Sequence, residues 1–261
     1  MKYKNEQDFL KMRLLFIASV FFISTSSAQS AKDIVNRYLD TVSNGDIDNW
    51  NKIKSIYSES EGSYSHQHYE QKIDFLKTDN INFTKIFTLF PYNHKHELYA
   101  DSAFTKLLST FYFLEKRTIV LMSNMPPVIK PASPSRDEFF SDHLPVQIWK
   151  LMNKSKSVEL IAIKEFPLDQ VTCYEIKINT KGRNYYAYIN TETFLLQYWN
   201  GNEEEDRSFL TKYYKYKKVG DFLMPMSHSG TRNGIVYFWN NTRKIEINAD
   251  IDPEIFSYQD K

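Results

Sequence analysis

Apolar positions along this chain follow two different spacings, and the change from one to the other divides it into elements. Behind Ser30, a residue able to cap a helix, Ile34, Val35, Tyr38, Leu39 and Val42 recur every three or four positions, and Asn44-Gly45 supplies a stop. This predicts an amphipathic helix lying on an apolar surface. Ile47, Trp50 and Ile53 predict a further short helical turn before a first strand opens at Ile56-Tyr57-Ser58-Glu59. Much later the period becomes two: Tyr174, Ile176 and Ile178 alternate with Glu175, Lys177 and Asn179, so one face is apolar and the other polar. A turn around Gly182 and a polar corner at Asn190-Thr191-Glu192-Thr193 cut Cys173 to Trp199 into three strands of an antiparallel meander, not a nucleotide-binding βαβ unit.

Between these segments the pattern is extended and aromatic. Residues 63–117 predict three or four strands; Lys106 to Glu115 fits a strand or a helix, and Arg117 to Met122 a strand. Pro126, Pro127, Pro131 and Pro134 then predict a crossing segment and not a strand, because proline denies a sheet interior its donors. Asp137 to Met152 returns to helical spacing, broken at Pro145, with Phe139, Phe140, Ile148 and Trp149 on an aromatic-rich face that either lids a cavity or plugs the core. Val158 to Glu165 opens the meander, and Phe209 to Tyr216 with Phe222 to Met226 continues it around Gly220. Gly234 to Asn240 and Thr242 to Asn248 predict a last strand pair, and Ile251, Ile255 and Phe256 a tail docked on the sheet. No internal repeat of constant period is present.

Residues 1–28 change the picture by setting a compartment. Leu14 to Ile23 is an uncharged apolar run behind Lys11 and Arg13, and Ser26-Ser27-Ala28 presents small residues where a signal peptidase cuts. The run is shorter than the roughly 20 residues of a permanent span, so a cleaved signal, export to the periplasm and no remaining transmembrane segment are expected. Met12 is an alternative start. Cleavage after Ala28 removes four of the 33 basic and two of the 32 acidic residues, leaving 29 and 30. Such near-neutrality argues against nucleic acid as a partner, which demands a basic surplus. The lone Cys173 excludes an internal disulfide and a cysteine-based zinc cluster. Aromatic residues at 16% with only seven glycines favour a large sheet.

Candidate chemistry is sparse. His66/His68 and His94/His96 each put two imidazoles on one face of a strand, yet no third ligand follows at a recognisable spacing, so no metal site is expected. Met226-Ser227-His228-Ser229-Gly230 lacks the Gly-x-Ser-x-Gly of a hydrolase elbow and reads as a polar turn. Asn202 to Arg207 is an acidic solvated loop. No catalytic residue and no cofactor are assigned.

The order of segments resembles the LolA-like exported proteins of Bacteroidota, a family labelled outer-membrane lipoprotein-sorting proteins. The likeness is carried by AKDIVNRYLD after the signal, by VELIAIKEFPLDQVTCYEIKINTKGRNYYAYINTETFLLQYW, and by KYYKYKKVGDFLMPMSHSG with TRKIEINADIDPEIF. It implies a mainly β (α+β) domain over residues 29–261: a strongly curved antiparallel sheet or unclosed half-barrel, LolA/LppX-like, with helices across the concave face. It further implies a non-enzymatic, monomeric carrier whose apolar hollow takes the acyl chains of a lipid or an acylated protein. Tyr174, Ile176, Ile178, Tyr186, Tyr188, Phe194, Leu196 and Tyr198 are the expected lining, although a filled core produces the same alternation. The alternatives are an envelope interaction module with a filled core and a protein partner and, with less support, a metal-dependent or serine hydrolase.

Overall fold

The computed structural model describes residues 30–64, 81–90, 93–122, 125–131, 145, 148–151, 155–180, 183–200, 209–232 and 235–258. The signal region, His66/His68, Phe139, Phe140 and the acidic loop lie outside them.

Helix α1 (Ala31–Val42) begins where the sequence predicts. Ser30 accepts from the Asp33 backbone N–H at 3.1 Å while the Asp33 carboxylate accepts from the Ser30 backbone N–H at 3.3 Å, a reciprocal cap of two otherwise orphaned donors. Ser30→Ala is expected to cost about 1 kcal/mol in urea unfolding. Positive φ at Asn44 and Gly45 ends the helix, and a 3-10 turn (Ile47–Lys52) follows, burying Trp50.

Among the described residues thirteen antiparallel strands make one sheet: β1 (Ser55–Tyr64), β2 (Asn82–Leu89), β3 (Asn93–Tyr99), β4 (Leu107–Phe113), β5 (Arg117–Met122), β6 (Met125–Pro131), β7 (Ser157–Phe166), β8 (Val171–Thr180), β9 (Arg183–Asn190), β10 (Leu196–Asn200), β11 (Phe209–Val219), β12 (Phe222–Arg232) and β13 (Ile235–Ile247). Their order is β6-β5-β4-β3-β2-β1-β13-β12-β11-β10-β9-β8-β7. Two meanders thus meet at a central β1/β13 seam, and among the described residues β6 and β7 are the two edges of an unclosed sheet.

Three sequence expectations are corrected. Residues 125–131 form β6 despite Pro126, Pro127 and Pro131, since an edge strand pairs on one side only, Pro126 and Pro127 fall where the register against β5 shifts, and Pro131 is the last residue of the strand. The two predicted final strands are one, β13, because Asn240 and Asn241 stay in register with β12 and β1. Met226 to Gly230 is likewise interior to β12, with Ser227, His228 and Ser229 paired to β13, and is no turn.

The sheet buries both faces. On one lies α1, whose Ile34, Val35, Tyr38, Leu39 and Val42 pack with Ile56, Ile148, Leu151, Ile176, Ile178 and Trp199. Across the other runs the tail after β13, pinned by Ser55 Oγ donating to the Ala249 carbonyl at 2.6 Å. Its 3-10 turn (Pro253–Phe256) buries Phe256, and the Tyr258 ring reaches Tyr112 of β4 at 6.4 Å.

Candidate ligand-binding cavity

The eight residues expected to line one hollow are divided between the faces. Tyr174, Ile176 and Ile178 of β8 stand opposite Ile189, Ala187 and Tyr185 of β9, so the α1 face of β9 carries Tyr185, Ala187 and Ile189. Tyr186 and Tyr188 therefore point to the other face, because pairing of Thr180 with Arg183 across the hairpin fixes the parity. Leu196 shares the α1 face, but a register shift between Leu196 and Tyr198 turns Tyr198 away. Phe194, at φ +54 in the turn before β10, packs its ring on Tyr174 at 6.1 Å and takes the Arg37 guanidinium at 3.8 Å. Ile148 is fully buried and Trp149 half-buried against the same core. Beneath α1 these residues fill the space; Ile176, Ile178 and Leu196 have no exposed surface.

The three tyrosines of that other face make their own cluster. Cys173, Tyr186, Tyr188 and Tyr198 are buried together, with Phe166 stacked on Tyr198 at 4.2 Å. Tyr188 donates to the Glu175 carboxylate at 3.1 Å, and Asp169 takes both the Tyr198 hydroxyl and the Lys212 ammonium. Burial pushes the Cys173 thiol up to about 12, which suits an inert packing residue and not a nucleophile.

An open space lies at the opposite end of the sheet, on the α1 face of β4, β5 and β6. Phe111, Val120 and Val128 form one cross-strand row and Phe113, Thr118 and Lys130 the next, with Met122 continuing β5 and Pro131 closing the end. They enclose about 490 Å³, within the range of small-molecule sites. The row of Phe111, Val120 and Val128 is wholly apolar, while the next ends in the hydroxyl of Thr118 and the ammonium of Lys130. Met122 and Val128 are 42% and 38% exposed, so the cavity opens at the β6 edge. A smaller, more polar cavity of about 310 Å³ sits under the tail, between Tyr57, Phe87, Glu246 and Asp250.

Sequence reasoning recognised β4 and β5 as apolar segments but not as cavity walls. Their signal was present in the alternation of Phe111 with Phe113 and of Thr118, Val120 and Met122; it lacked a third wall because the prolines of β6 argued against a strand.

His94 and His96 do lie on one face of β3, behind the cavity wall: their rings pack on Phe113 at 5.5 Å and Phe111 at 5.8 Å. His94 Nδ1 shares a 3.0 Å hydrogen bond with the Thr88 hydroxyl. His96 Nε2 is buried without a hydrogen-bond partner among the described residues, and burial lowers its pKa to about 4 against the opposing pull of Glu97. No group of three metal-ligating side chains occurs among the described residues.

An unclosed antiparallel sheet, helix-packed on one face and carrying a lateral apolar cavity, defines a class of β-rich scaffold. No family model matches the sequence, and no curated protein matches it. Solved structures do match. A DUF1329 family protein from Desulfovibrio piger superposes with a TM-score of 0.58 at 11% identity, over 87% of this chain and 96% of that one. A LolA superfamily protein from Nitrosomonas europaea gives 0.55 at 9% identity over 88% and 99%. An outer membrane lipoprotein-sorting protein domain, described as putative, from Vibrio parahaemolyticus gives 0.55 at 9% over 87% and 95%. At such identities the likeness establishes the fold: mainly β, LolA-like and not closed into a barrel. Among the described residues no helix is long and apolar enough to cross a membrane.

Proposed function

We propose that this protein is a non-enzymatic periplasmic carrier that holds an acyl chain of a lipid or lipidated protein in the cavity between β4, β5 and β6. The observation that carries this reading is the 490 Å³ cavity itself, apolar along Phe111, Val120, Val128 and Met122 and polar at Thr118 and Lys130. That asymmetry suits an amphiphile lying along the strands with its chain on the apolar rows and an anionic or hydroxylated head at Lys130. Each buried methylene contributes about 0.8 kcal/mol, so about ten of them supply roughly 8 kcal/mol, against which the entropic cost of binding is set. The fold shared with the LolA superfamily protein and the lipoprotein-sorting domain supports the same reading. Cleavage of residues 1–28 on export belongs to this proposal.

The test is uptake of a fluorescent fatty-acyl probe by the purified protein. Val120→Asp places a carboxylate on the cavity wall and is expected to weaken uptake about tenfold or more. Ile129→Asp, on the outer face of β6 and 47% exposed, is expected to leave it unchanged. Failure of the unaltered protein to take up any acylated probe, or equal loss in both variants, would overturn the assignment.

A further inference from the structure

Among the described residues the two edges of the sheet are built differently. Edge β6 carries three prolines in seven residues, which remove donors and guard it against pairing. Edge β7 is ten residues long, has no proline, and leaves Leu160, Ile161 and Ile163 40%, 42% and 63% exposed. An unguarded edge with exposed apolar side chains is a template for another strand.

The central part of β7 (Ser157–Phe166), from Glu159 to Lys164, is complementary to itself when reversed, whereas Val158 then falls against Glu165 and Ser157 against Phe166. Laid antiparallel on a second copy about a point between Ile161 and Ala162, it sets Glu159 against Lys164 and Leu160 against Ile163, each pair occurring twice by symmetry. In a regular strand this register would fail, because residues 160 and 163 would project to opposite faces. The register shift against β8 between Leu160 and Ala162 corrects it. Leu160 stands opposite Ile176 and Ile163 opposite Tyr174, both on the α1 face; Glu159 opposite Lys177 and Lys164 opposite Cys173 are both on the other. The bulge therefore puts Leu160 and Ile163 on one face and Glu159 and Lys164 on the other.

We propose that a second copy of this chain docks along β7, antiparallel and two-fold symmetric, joining two sheets into one. The apolar pairs Leu160/Ile163 extend the core beside Tyr174, and the Glu159/Lys164 pairs select the register, since like charges directly opposite are unfavourable. This replaces the monomer expected from the sequence. It stands independently of the carrier reading, because the cavity lies at the far edge of the sheet.

Sedimentation of the purified protein over a concentration series tests it, with a mass twice that of one chain expected at the high end. Lys164→Glu, which sets Glu159 against a carboxylate at two symmetric places, is expected to raise the dimer dissociation constant about tenfold or more. Adding Glu159→Lys reverses both charges and is expected to restore dimerisation. The double variant Leu160→Cys/Ile163→Cys is expected to cross-link two chains on oxidation, with native Cys173 buried and silent. A single-chain mass at all concentrations overturns the proposal, as does a dimer that ignores Lys164→Glu or one not rescued by the charge exchange. Co-purification of a different protein on this edge with no self-association overturns it as well.

Discussion

Gly62→Ala is expected to destabilise the protein by about 3 kcal/mol, a fall of roughly 6–12 °C in Tm for a chain of this size. Gly62 sits at the seam, opposite Asn240 of β13. A Cβ built there would lie 2.4 Å from the Trp239 carbonyl oxygen and 3.2 Å from Asn240 Cα, so backbone and not a pliable side chain would have to yield. The space is used by Asn240, whose amide donates to Ser60 Oγ at 3.1 Å in a buried cluster with Thr84. Displacing β13 would break that contact and leave buried polar groups unpaired. Gly45→Ala is the control: its φ is +79 but nothing lies within 4 Å of an added Cβ, so only about 1 kcal/mol of backbone strain is expected. Equal small losses in both variants, measured by urea unfolding, would show that the seam relaxes freely.

Stability is also expected to fall steeply with acid, by about 4 kcal/mol between pH 7 and pH 5. Burial lowers the pKa of both His96 and His228 to about 4 from the ordinary imidazole value near 6.5. His228 is stacked on Tyr213 of β11 at 5.7 Å and edge-on to Phe238 of β13, with Asn240 across the strand; His96 faces Phe111 and Ile86, with Glu97 its charged neighbour. Burial is the cause of the lowering at His228, and Glu97 offsets only part of it at His96. Between pH 6.5 and about 4 the unfolded chain binds a proton at each histidine and the folded chain does not. The contribution of the neutral imidazoles is therefore complete above pH 6.5 and is lost as pH falls, at about 1.4 kcal/mol per pH unit for each. Urea titrations at pH 7, 6 and 5 give the slope, and His228→Phe is expected to reduce it by half. A slope that His228→Phe leaves untouched would assign the acid sensitivity elsewhere.

The parts of this fold that were legible in the sequence are those set by local chemistry. Ser30 and the spacing of Ile34, Val35, Tyr38, Leu39 and Val42 mark α1 because cap and period are local, and the alternation of Tyr174, Ile176 and Ile178 marks β8 because its faces differ in polarity. What escaped was decided at a distance. Tyr186, Tyr188 and Tyr198 belong to the far face through a hairpin parity and a bulge, and aromatic side chains suit either face of a sheet buried on both. The prolines of β6 disqualify a strand only if it is interior, and the sequence does not say which strand is last. Because the cavity's third wall is that strand, its location was hidden with it.

The seam has a kinetic consequence. Within each meander every strand pairs with its neighbour in sequence, whereas β1 and β13 bring together groups such as Ser60 and Asn240, 180 positions apart. The entropy of closing so long a loop falls on that one step, so two locally organised halves are expected to assemble first and zip together late. Damage at Gly62 should consequently hasten unfolding far more than it slows folding, and the native lifetime of the whole molecule is governed by a single pair of strands.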